Sequence, residues 1–472
     1  MKHLIPLLVI CSGIIVIVLE GCSVHPIRPA NINAQIPSSY ENASAEAAHA
    51  FMGEKWWQVF NDPRLTDLME MTFGGNLDVA QYVARLQQAQ AIGRQRGAER
   101  RPYVNLEGSA GRSQEVSATG ENAGNSLSYS VAAGYEVDLW NKIGSRARAQ
   151  DLETSASRQD LHALYLTLSA QVAENYYAMV EQRAILNLID QTIVARTDNL
   201  ELVELRYREG TVSALDLYQA RQNLANAKAQ RPDVEAALAT TAHALAVLTG
   251  RYPTESIGGD LAELPDMPEA FPMGLPSDLL QQRPDIQAAM YRLEAADHQI
   301  AAAVADRFPA INLIADYGHS RSDFGTVISG TVWHLIGNVT MPLVDFNRRK
   351  AEVDRNEAVY AERLAAYQQT VLTAFQEVED ALTANRSSKE AIGRISAEVE
   401  AAEDALRLSR DQYMDGLSTY LPVLTAQTIH FDSRTRLLSA RRQLISARIS
   451  LARAMGGNWM ADLVEQRLQT KN

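Results

Sequence analysis

The chain of 472 residues is long enough for several domains or for one very elongated body. Apolar residues make up 46% of it and charged residues 21%, a composition that excludes an intrinsically disordered protein. The formal net charge of -13 argues against a nucleic-acid-binding surface. Two interpretations of this acidity stay open, general solubility and an acidic functional lining.

The N-terminal residues 1–21 have the features of an export signal. An apolar run follows the basic residue Lys2, and the segment ends at Cys22. The chain has two cysteines, and the other one, Cys11, lies inside the signal, so the mature chain can form no internal disulfide. The ending resembles the lipobox of bacterial lipoproteins. We therefore predict a covalent lipid on Cys22 and no other cofactor; the alternative is an uncleaved signal anchor.

Beyond an extended segment at residues 22–62, the sequence predicts two halves with the same order of elements. Each half contains a helix, two strands, a very long helix and a final helix. The predicted domains are a first repeat at 63–250, a linker at 251–276, a second repeat at 277–457 and a tail at 458–472. The predicted helices are 65–99, 145–208, 213–248, 277–306, 348–414 and 419–455. The predicted strands are 103–112, 127–140, 310–319 and 331–344.

Three short matches in the same order indicate a tandem duplication. RPYVNL at 101–106 recurs as FPAINL at 308–313, DLW at 138–140 as PLV at 342–344, and RYREG at 206–210 as QYMDG at 412–416. The offsets of 207, 204 and 206 residues are nearly constant. The longest segments contain little glycine or proline, so they favour unbroken helices, each on the order of 95 Å long.

The predicted strands alternate apolar and polar residues, as in SLSYSVAAGYEVDL, which is typical of a strand with one apolar and one polar face. Two isoleucines, Ile314 and Ile336, interrupt the polar faces. The strands are long enough to cross a bilayer, although a half-buried sheet in a soluble domain would alternate in the same way. Four strands cannot close a barrel, so we expect the chain to oligomerise, with the number of copies left open. The aromatic residues expected at the membrane interfaces are Tyr103, Tyr135, Trp140 and Trp333.

Several motifs together resemble the TolC-like outer-membrane efflux proteins, in particular the NodT-type lipoprotein branch of outer-membrane factors. They are KWWQVFNDP at 55–63, DLLQQRPD at 278–285, PLVD at 342–345 and MGGNW at 455–459. The resemblance covers nearly everything after Cys22, although Phe346 and Asn347 stand where the family usually has glycines. It implies an α+β membrane protein, in which a homotrimer shares a twelve-stranded transmembrane β-barrel, four strands per protomer, above a periplasmic α-barrel of long helices.

The function implied by the resemblance is that of an outer-membrane exit duct in a tripartite efflux system. Such a duct passes small toxic compounds such as drugs out of a Gram-negative cell, is lipid-anchored and extends into the periplasm. The implied partners are outer-membrane lipid, a periplasmic adaptor protein and an inner-membrane RND-type transporter, with no nucleic acid. A duct for type I protein or peptide secretion or for metal-ion efflux is the alternative. A trimeric structural lipoprotein without a channel is the rival class, and the four membrane-length strands argue against it.

Two glycines mark the ends of the longest helices. Gly210 and Gly416 each supply the left-handed conformation that ends a helix. Ser213 and Asp216 then form a predicted capping box for the next helix, and Thr419 is the predicted cap in the second hairpin.

A gate at these two hairpins is a further implication of the resemblance. By position, Tyr413 matches the gate tyrosine and Asp216 the gate aspartate, and we hypothesise that the two form a hydrogen bond in the closed channel. Ser418 replaces the arginine that braces the gate, and Thr425 replaces an aspartate of its acidic ring, whereas Leu421 matches an apolar ring. We therefore expect Leu421 and Tyr413 to close the aperture. The candidate gate residues are Tyr413, Asp216, Tyr207, Leu421, Thr425 and Ser418.

Sequence motifs of enzymes are absent. The chain contains no His-Glu-x-x-His pair, no GxSxG and no GxGxxG, and its nine histidines are dispersed without metal-ligand spacing. We therefore predict no catalytic residue and no metal site.

Overall fold

The computed structural model describes residues 24–28, 55–117, 120–253, 259, 261–266, 276–321 and 331–469. The predicted signal and Cys22 lie outside these residues, as do parts of the segments 22–62 and 251–276. The described chain is mostly helical with a single four-stranded antiparallel sheet, which confirms the predicted secondary-structure content. Within it, no helix combines the length and the apolar character needed to span a membrane.

A short 3-10 helix at Trp56–Phe60 precedes nine α-helices in the described part of the chain. The helices are α1 (Pro63–Gly75), α2 (Leu77–Ala98), α3 (Lys142–Arg208), α4 (Ala214–Leu248), α5 (Pro276–Gln282), α6 (Pro284–Ala305), α7 (Arg348–Met414), α8 (Tyr420–Met455) and α9 (Met460–Gln469). The two long helices, α3 and α7, contain 67 residues each. Helix α9 lies in the segment that the sequence predicted as a tail.

Two predicted helices are each divided in two. The helix expected over 65–99 breaks at Asn76, whose side-chain oxygen accepts hydrogen bonds from the backbone N–H of Asp78 (2.8 Å) and Val79 (3.2 Å). Its amide nitrogen donates to the carbonyl of Leu248 at 2.9 Å. This buried side chain therefore caps the start of α2 and also bonds to the end of α4. The helix expected over 277–306 breaks before Pro284, because proline disfavours helical backbone in the residue that precedes it.

The described chain divides into two compact units. Unit 1 combines parts of the chain within 1–33, 84–158 and 287–369, and it contains the sheet. Unit 2 combines parts within 34–83, 159–286 and 370–472, and it contains both hairpins of the long helices.

In unit 2, three of the sequence motifs meet in one core. The rings of Trp57 and Trp459 are 4.8 Å apart at 86°, an edge-to-face contact. The indole of Trp56 donates to the hydroxyl of Ser169 at 3.1 Å. The buried Arg283 donates to the Glu377 carboxylate at 2.7 Å, and it also bonds to Asp285 and to the carbonyl of Ala454. The motifs at 55–63, 278–285 and 455–459 are therefore packing elements.

The sheet of unit 1 contains the strands β1 (Tyr103–Ser117), β2 (Gly120–Val137), β3 (Ala310–Arg321) and β4 (Thr331–Thr340). They lie in the order β1-β2-β3-β4, with all neighbours antiparallel. Both β2 and β4 end before the predicted positions 140 and 344, and β1 runs beyond position 112.

The prediction that Trp140 ends a membrane strand is wrong, because the chain turns away after Val137. The carboxylate of Asp138 accepts from the N–H groups of Ile143 (3.0 Å) and Gly144 (2.6 Å), so it caps α3 and does not line a sheet face. The Trp140 indole donates to the carbonyl of Pro309 at 2.8 Å and its ring lies 4.9 Å from that of Phe308. Trp140 is therefore covered by its own chain.

The register separates an apolar face from a polar face, as the alternation predicted. Tyr135 and Trp333 lie on the apolar face, and the residues that share it include Leu106, Val131, Leu313, Tyr317, Leu335 and Val339. The polar face carries Asn105, Glu107, Ser130, Glu136, Asn312, Asp316, His334 and Asn338.

Tyr103 lies on the polar face, because its partner Gly134 belongs to that face, and its place at a membrane interface stays a prediction. The register continues from Gly134 to Ile314 and from Ile314 to Ile336, so one apolar row crosses all four strands on this face. A Cβ atom at Gly134 would lie 2.4 Å from the ring of Tyr103. Glycine lets this ring lie flat on the sheet, and the two isoleucines that break the pattern are cross-strand partners.

Candidate functional site

The candidate site is the tip, defined as the two helix hairpins α3–α4 and α7–α8 in unit 2. Gly210 has φ +74° and Gly416 has φ +73°, which confirms the left-handed conformation predicted for both. The N–H of Thr211 bonds to the carbonyl of Arg206 at 2.9 Å, and that of Leu417 bonds to Gln412 at 2.9 Å. Both long helices therefore end in the same Schellman motif.

The two hairpins differ in how the returning helix begins. The hydroxyl of Ser213 accepts from the N–H of Asp216, and the Asp216 carboxylate accepts from the N–H of Ser213, both at 3.2 Å. This confirms the capping box. Thr419 occupies the predicted N-cap position with extended backbone, but its side chain makes no capping hydrogen bond. Helix α8 begins at Tyr420, and the ring of that residue is buried beneath the turn.

A buried apolar cluster joins the hairpins. Its fully buried members are Val203, Leu217, Ala220, Tyr413, Tyr420 and Val423. The rings of Tyr413 and Tyr420 lie 5.4 Å apart at 58°. Tyr413 is only 4% exposed, so its ring is unavailable to line an aperture in this conformation. We expected Tyr413 and Leu421 to close the aperture together, but the ring of Tyr413 is buried in the cluster and only Leu421 is exposed.

Arg206 connects the hairpins and was missed from the sequence. Its guanidinium donates to the carbonyl oxygens of Tyr413 (2.8 Å) and Met414 (2.5 Å), the last two residues of α7. It also lies 4.8 Å from the centre of the Tyr413 ring. A cation at a helix C-terminus stabilises the helix dipole and bonds to carbonyls that have no partner inside the helix. The sequence signal that could have indicated its role is the repeat, in which Arg206 of the first half aligns with Gln412 of the second half.

The hypothesised bond between Tyr413 and Asp216 is not formed within the chain. Asp216 serves the capping box, and the buried hydroxyl of Tyr413 has no hydrogen-bond partner in the described residues. Burial raises the pKa of Tyr413, and Asp216 raises it further by charge, whereas Arg206 lowers it. A Tyr413–Asp216 link between neighbouring protomers stays a prediction.

The other candidate gate residues lie on the tip surface. Tyr207 is 43% exposed and Leu421 is 56% exposed. The hydroxyls of Thr425 and Ser418 donate to backbone carbonyls of Leu421 (3.0 Å) and Thr419 (3.1 Å). Leu421 and Thr425 also line one shallow groove, whose other residues are Ala402, Ala405, Ser409, Pro422, Ala426 and Ile429.

A buried polar layer lies next to the apolar cluster. Asn223 donates to the Gln427 side chain at 2.9 Å, and its carbonyl accepts from Arg196 at 2.8 Å. Burial lowers the pKa of Arg196, an effect that Tyr420 and Asp432 partly offset. Because such a network has few alternative partners, it fixes how α3, α4 and α8 align. In the described ranges, no group of three or more metal-ligating side chains is placed to hold an ion.

Long paired helices that end in packed hairpins, combined with a sheet that exposes an apolar face, define an outer-membrane channel protein. The sequence profile of the outer membrane efflux protein family matches residues 68–251 and 275–457. The chain belongs to this family, which confirms the resemblance stated from its motifs.

Relatives and solved structures agree with this assignment. The toluene efflux pump outer membrane protein TtgC of Pseudomonas putida is 31% identical over 455 residues, which cover 94% of each chain. The pyoverdine export outer membrane protein OpmQ of the same species is 29% identical, covering 94% of this chain and 96% of OpmQ. The solved outer-membrane channel OprN is 25% identical with a TM-score of 0.87, covering 93% of this chain and 100% of OprN. The chain is thus an outer-membrane efflux protein with the fold of these channels.

Proposed function

We propose that three copies of this chain form the exit duct of a tripartite efflux pump. The sheet carries the proposal, because it combines one exposed apolar face, one polar face and two edge strands, β1 and β4. In lipid, unpaired backbone groups at a strand edge are costly, so the edges must pair with other copies. Three such sheets joined edge to edge give a closed twelve-stranded cylinder with lipid outside and water inside.

The tip, in this proposal, is the periplasmic end that meets an adaptor protein and an inner-membrane RND-type transporter. The relatives reported above are named for toluene efflux and for pyoverdine export, which supports small organic compounds, including drugs, as cargo. The transporter selects the cargo, and the duct itself carries out no chemistry. A covalent lipid on Cys22 anchors the mature N-terminus, and incorporation of labelled palmitate that a Cys22→Ser variant lacks is the expected result.

Two neighbouring residues of β4 allow a matched test of the membrane orientation. Leu335 lies on the apolar face, whereas His334 lies on the polar face and bonds to Asp316 at 2.8 Å. Arginine on the lipid face of a membrane barrel costs about 2–4 kcal/mol near the bilayer centre, whereas arginine in the lumen changes ion selectivity. Leu335→Arg should therefore abolish heat-resistant trimers in outer-membrane fractions.

His334→Arg is the control and should assemble normally. In planar bilayers, its reversal potential should shift towards anion selectivity relative to the native channel. Native mass spectrometry should give three copies per particle. Equal tolerance of both arginines, or a monomer without ion current, would refute the proposed duct.

A further inference from the structure

The segment between β4 and α7, residues 341–347, is here called the junction loop. It exposes three large apolar side chains, with exposed fractions of 85% for Leu343, 78% for Val344 and 94% for Phe346. Phe346 also has φ +51°, and Asn347 follows with φ +66°. Asparagine tolerates the left-handed region, but a bulky aromatic residue rarely adopts it. The chain therefore holds an aromatic ring outward in a backbone conformation that suits glycine better.

The corresponding junction between β2 and α3 treats its aromatic residue differently. There Asn141, with φ +57°, directly precedes the long helix, as Asn347 precedes α7. The residue before it, Trp140, packs on Phe308 and donates a hydrogen bond to its own chain. The two junctions thus share a left-handed asparagine, but only Phe346 leaves its ring uncovered.

Two features of the surroundings indicate what covers the junction loop. First, the loop continues the apolar sheet face, on which Trp333 is 70% exposed and Leu335 is 73% exposed. Second, the first turn of α7 carries Arg348 and Lys350, which are exposed and form no ion pair within the described ranges. The intervening Arg349 is turned inward and bonds to Asp306 at 3.1 Å.

We propose that the junction loop is a second membrane anchor, distinct from the strands and from the predicted lipid on Cys22. Phe346 and Leu343 insert among the acyl chains of the periplasmic leaflet, and Arg348 and Lys350 bind anionic phospholipid headgroups there. An aromatic ring beside basic side chains is the composition that favours a membrane–water interface. The proposal rests on the proposed function, because it requires the sheet to cross the outer membrane.

Site-directed spin labelling of the full-length protein in vesicles tests the position of the ring. The only cysteines of the chain are Cys11 in the predicted signal and Cys22, the predicted lipidation site, so Phe346→Cys introduces a thiol that can be labelled selectively. In vesicles of phosphatidylethanolamine and phosphatidylglycerol, the nitroxide should collide more often with oxygen than with the water-soluble nickel complex NiEDDA. Leu77→Cys, at a residue of unit 2 that is 72% exposed, should give the reverse order.

Two other results at position 346 would overturn the inference. Ready access to NiEDDA would mean that the ring lies in water. Protection from both reagents, in detergent as well as in vesicles, would mean that it packs against a neighbouring copy. Each sample is first shown to conduct ions in a planar bilayer. A channel with an aqueous label refutes the anchor alone, whereas a protein without current refutes the duct.

The variant Phe346→Gly supplies a second test, because a membrane anchor and a merely strained loop residue predict opposite changes in its thermal midpoint. If Phe346 were only a strained loop residue, Phe346→Gly would relieve the backbone and raise the thermal midpoint. As a membrane anchor, Phe346→Gly should lower the midpoint in nanodiscs containing phosphatidylglycerol. Arg348→Gln combined with Lys350→Gln should reduce the stabilisation that phosphatidylglycerol gives over a zwitterionic lipid. An unchanged or raised midpoint for Phe346→Gly, or an unchanged lipid dependence, would contradict the anchor.

Discussion

Replacing Arg206 by alanine should loosen the tip without unfolding the protein. The variant loses two hydrogen bonds from a charged donor, to the carbonyls of Tyr413 and Met414, and one contact with an aromatic face. Hydrogen bonds to charged groups contribute about 1.5–3 kcal/mol each, and an exposed cation–π contact adds about 0.5–1 kcal/mol. Because Arg206 is half-buried, the lower values apply, and the sum is about 3.5 kcal/mol per chain.

Hydrogen exchange measures this loss directly, because the end of α7 opens locally. A change of about 3.5 kcal/mol should speed exchange of the Gly416 and Leu417 amides about 300-fold. Arg208→Ala is the matched control, since its guanidinium only approaches the carbonyl of Glu204 in its own helix at 3.4 Å. Conductance of the closed channel should also rise for Arg206→Ala. If exchange in the α7–α8 hairpin matches that of Arg208→Ala, Arg206 does not hold the hairpins together.

Three further predictions concern other positions of unit 2. Gly416→Ala should destabilise the tip by about 1–2 kcal/mol because Gly416 has a positive φ. Gly393→Ala should instead stabilise the protein by about 0.5–1 kcal/mol, because Gly393 lies inside α7 with open space around it. The denaturant midpoint should fall for the first variant and rise for the second. Burial raises the pKa of Glu181, so the stability it contributes is present at low pH and is lost as the pH rises through the raised value. Glu181→Gln should therefore melt higher than the native protein at pH 7 but not at pH 4, and circular dichroism at both values checks this. Tyr413→Phe should leave the rate of amide hydrogen exchange at the tip unchanged or lower it, because the Tyr413 hydroxyl has no partner in the described chain. Increased closed-state current in this variant would then locate the partner of that hydroxyl on a neighbouring protomer.

Sequence periodicity predicted the long elements well because their signals are local. The bounds of α7 agree with the prediction at 348–414, since few residues within it disfavour a helix and a glycine ends it two positions later. The face assignment of Tyr135 and Trp333 also follows from a period of two.

The errors arise where a distant part of the chain decides the local structure. Trp140 leaves its strand because Pro309 and Phe308 provide a hydrogen bond and a ring contact. Asn76 divides a helix that is otherwise periodic, and its amide is held by Leu248. Arg206 resembles any basic residue at a helix end until its partners, more than 200 positions away in sequence, are known. No local pattern contains that information.

The two hairpins of the tip have the same backbone turns but different side chains, and this difference has a mechanical consequence. The α3–α4 hairpin contributes Arg206 and a capping box, whereas the α7–α8 hairpin receives the guanidinium and lacks a side-chain cap. Its exposed residues include two leucines, with Leu417 79% exposed and Leu421 56% exposed. Movement of α7–α8 alone must break the Arg206 bonds, while movement of both hairpins together keeps them. Opening of the proposed duct should therefore move each pair of hairpins as one body, with the contacts that break lying between protomers.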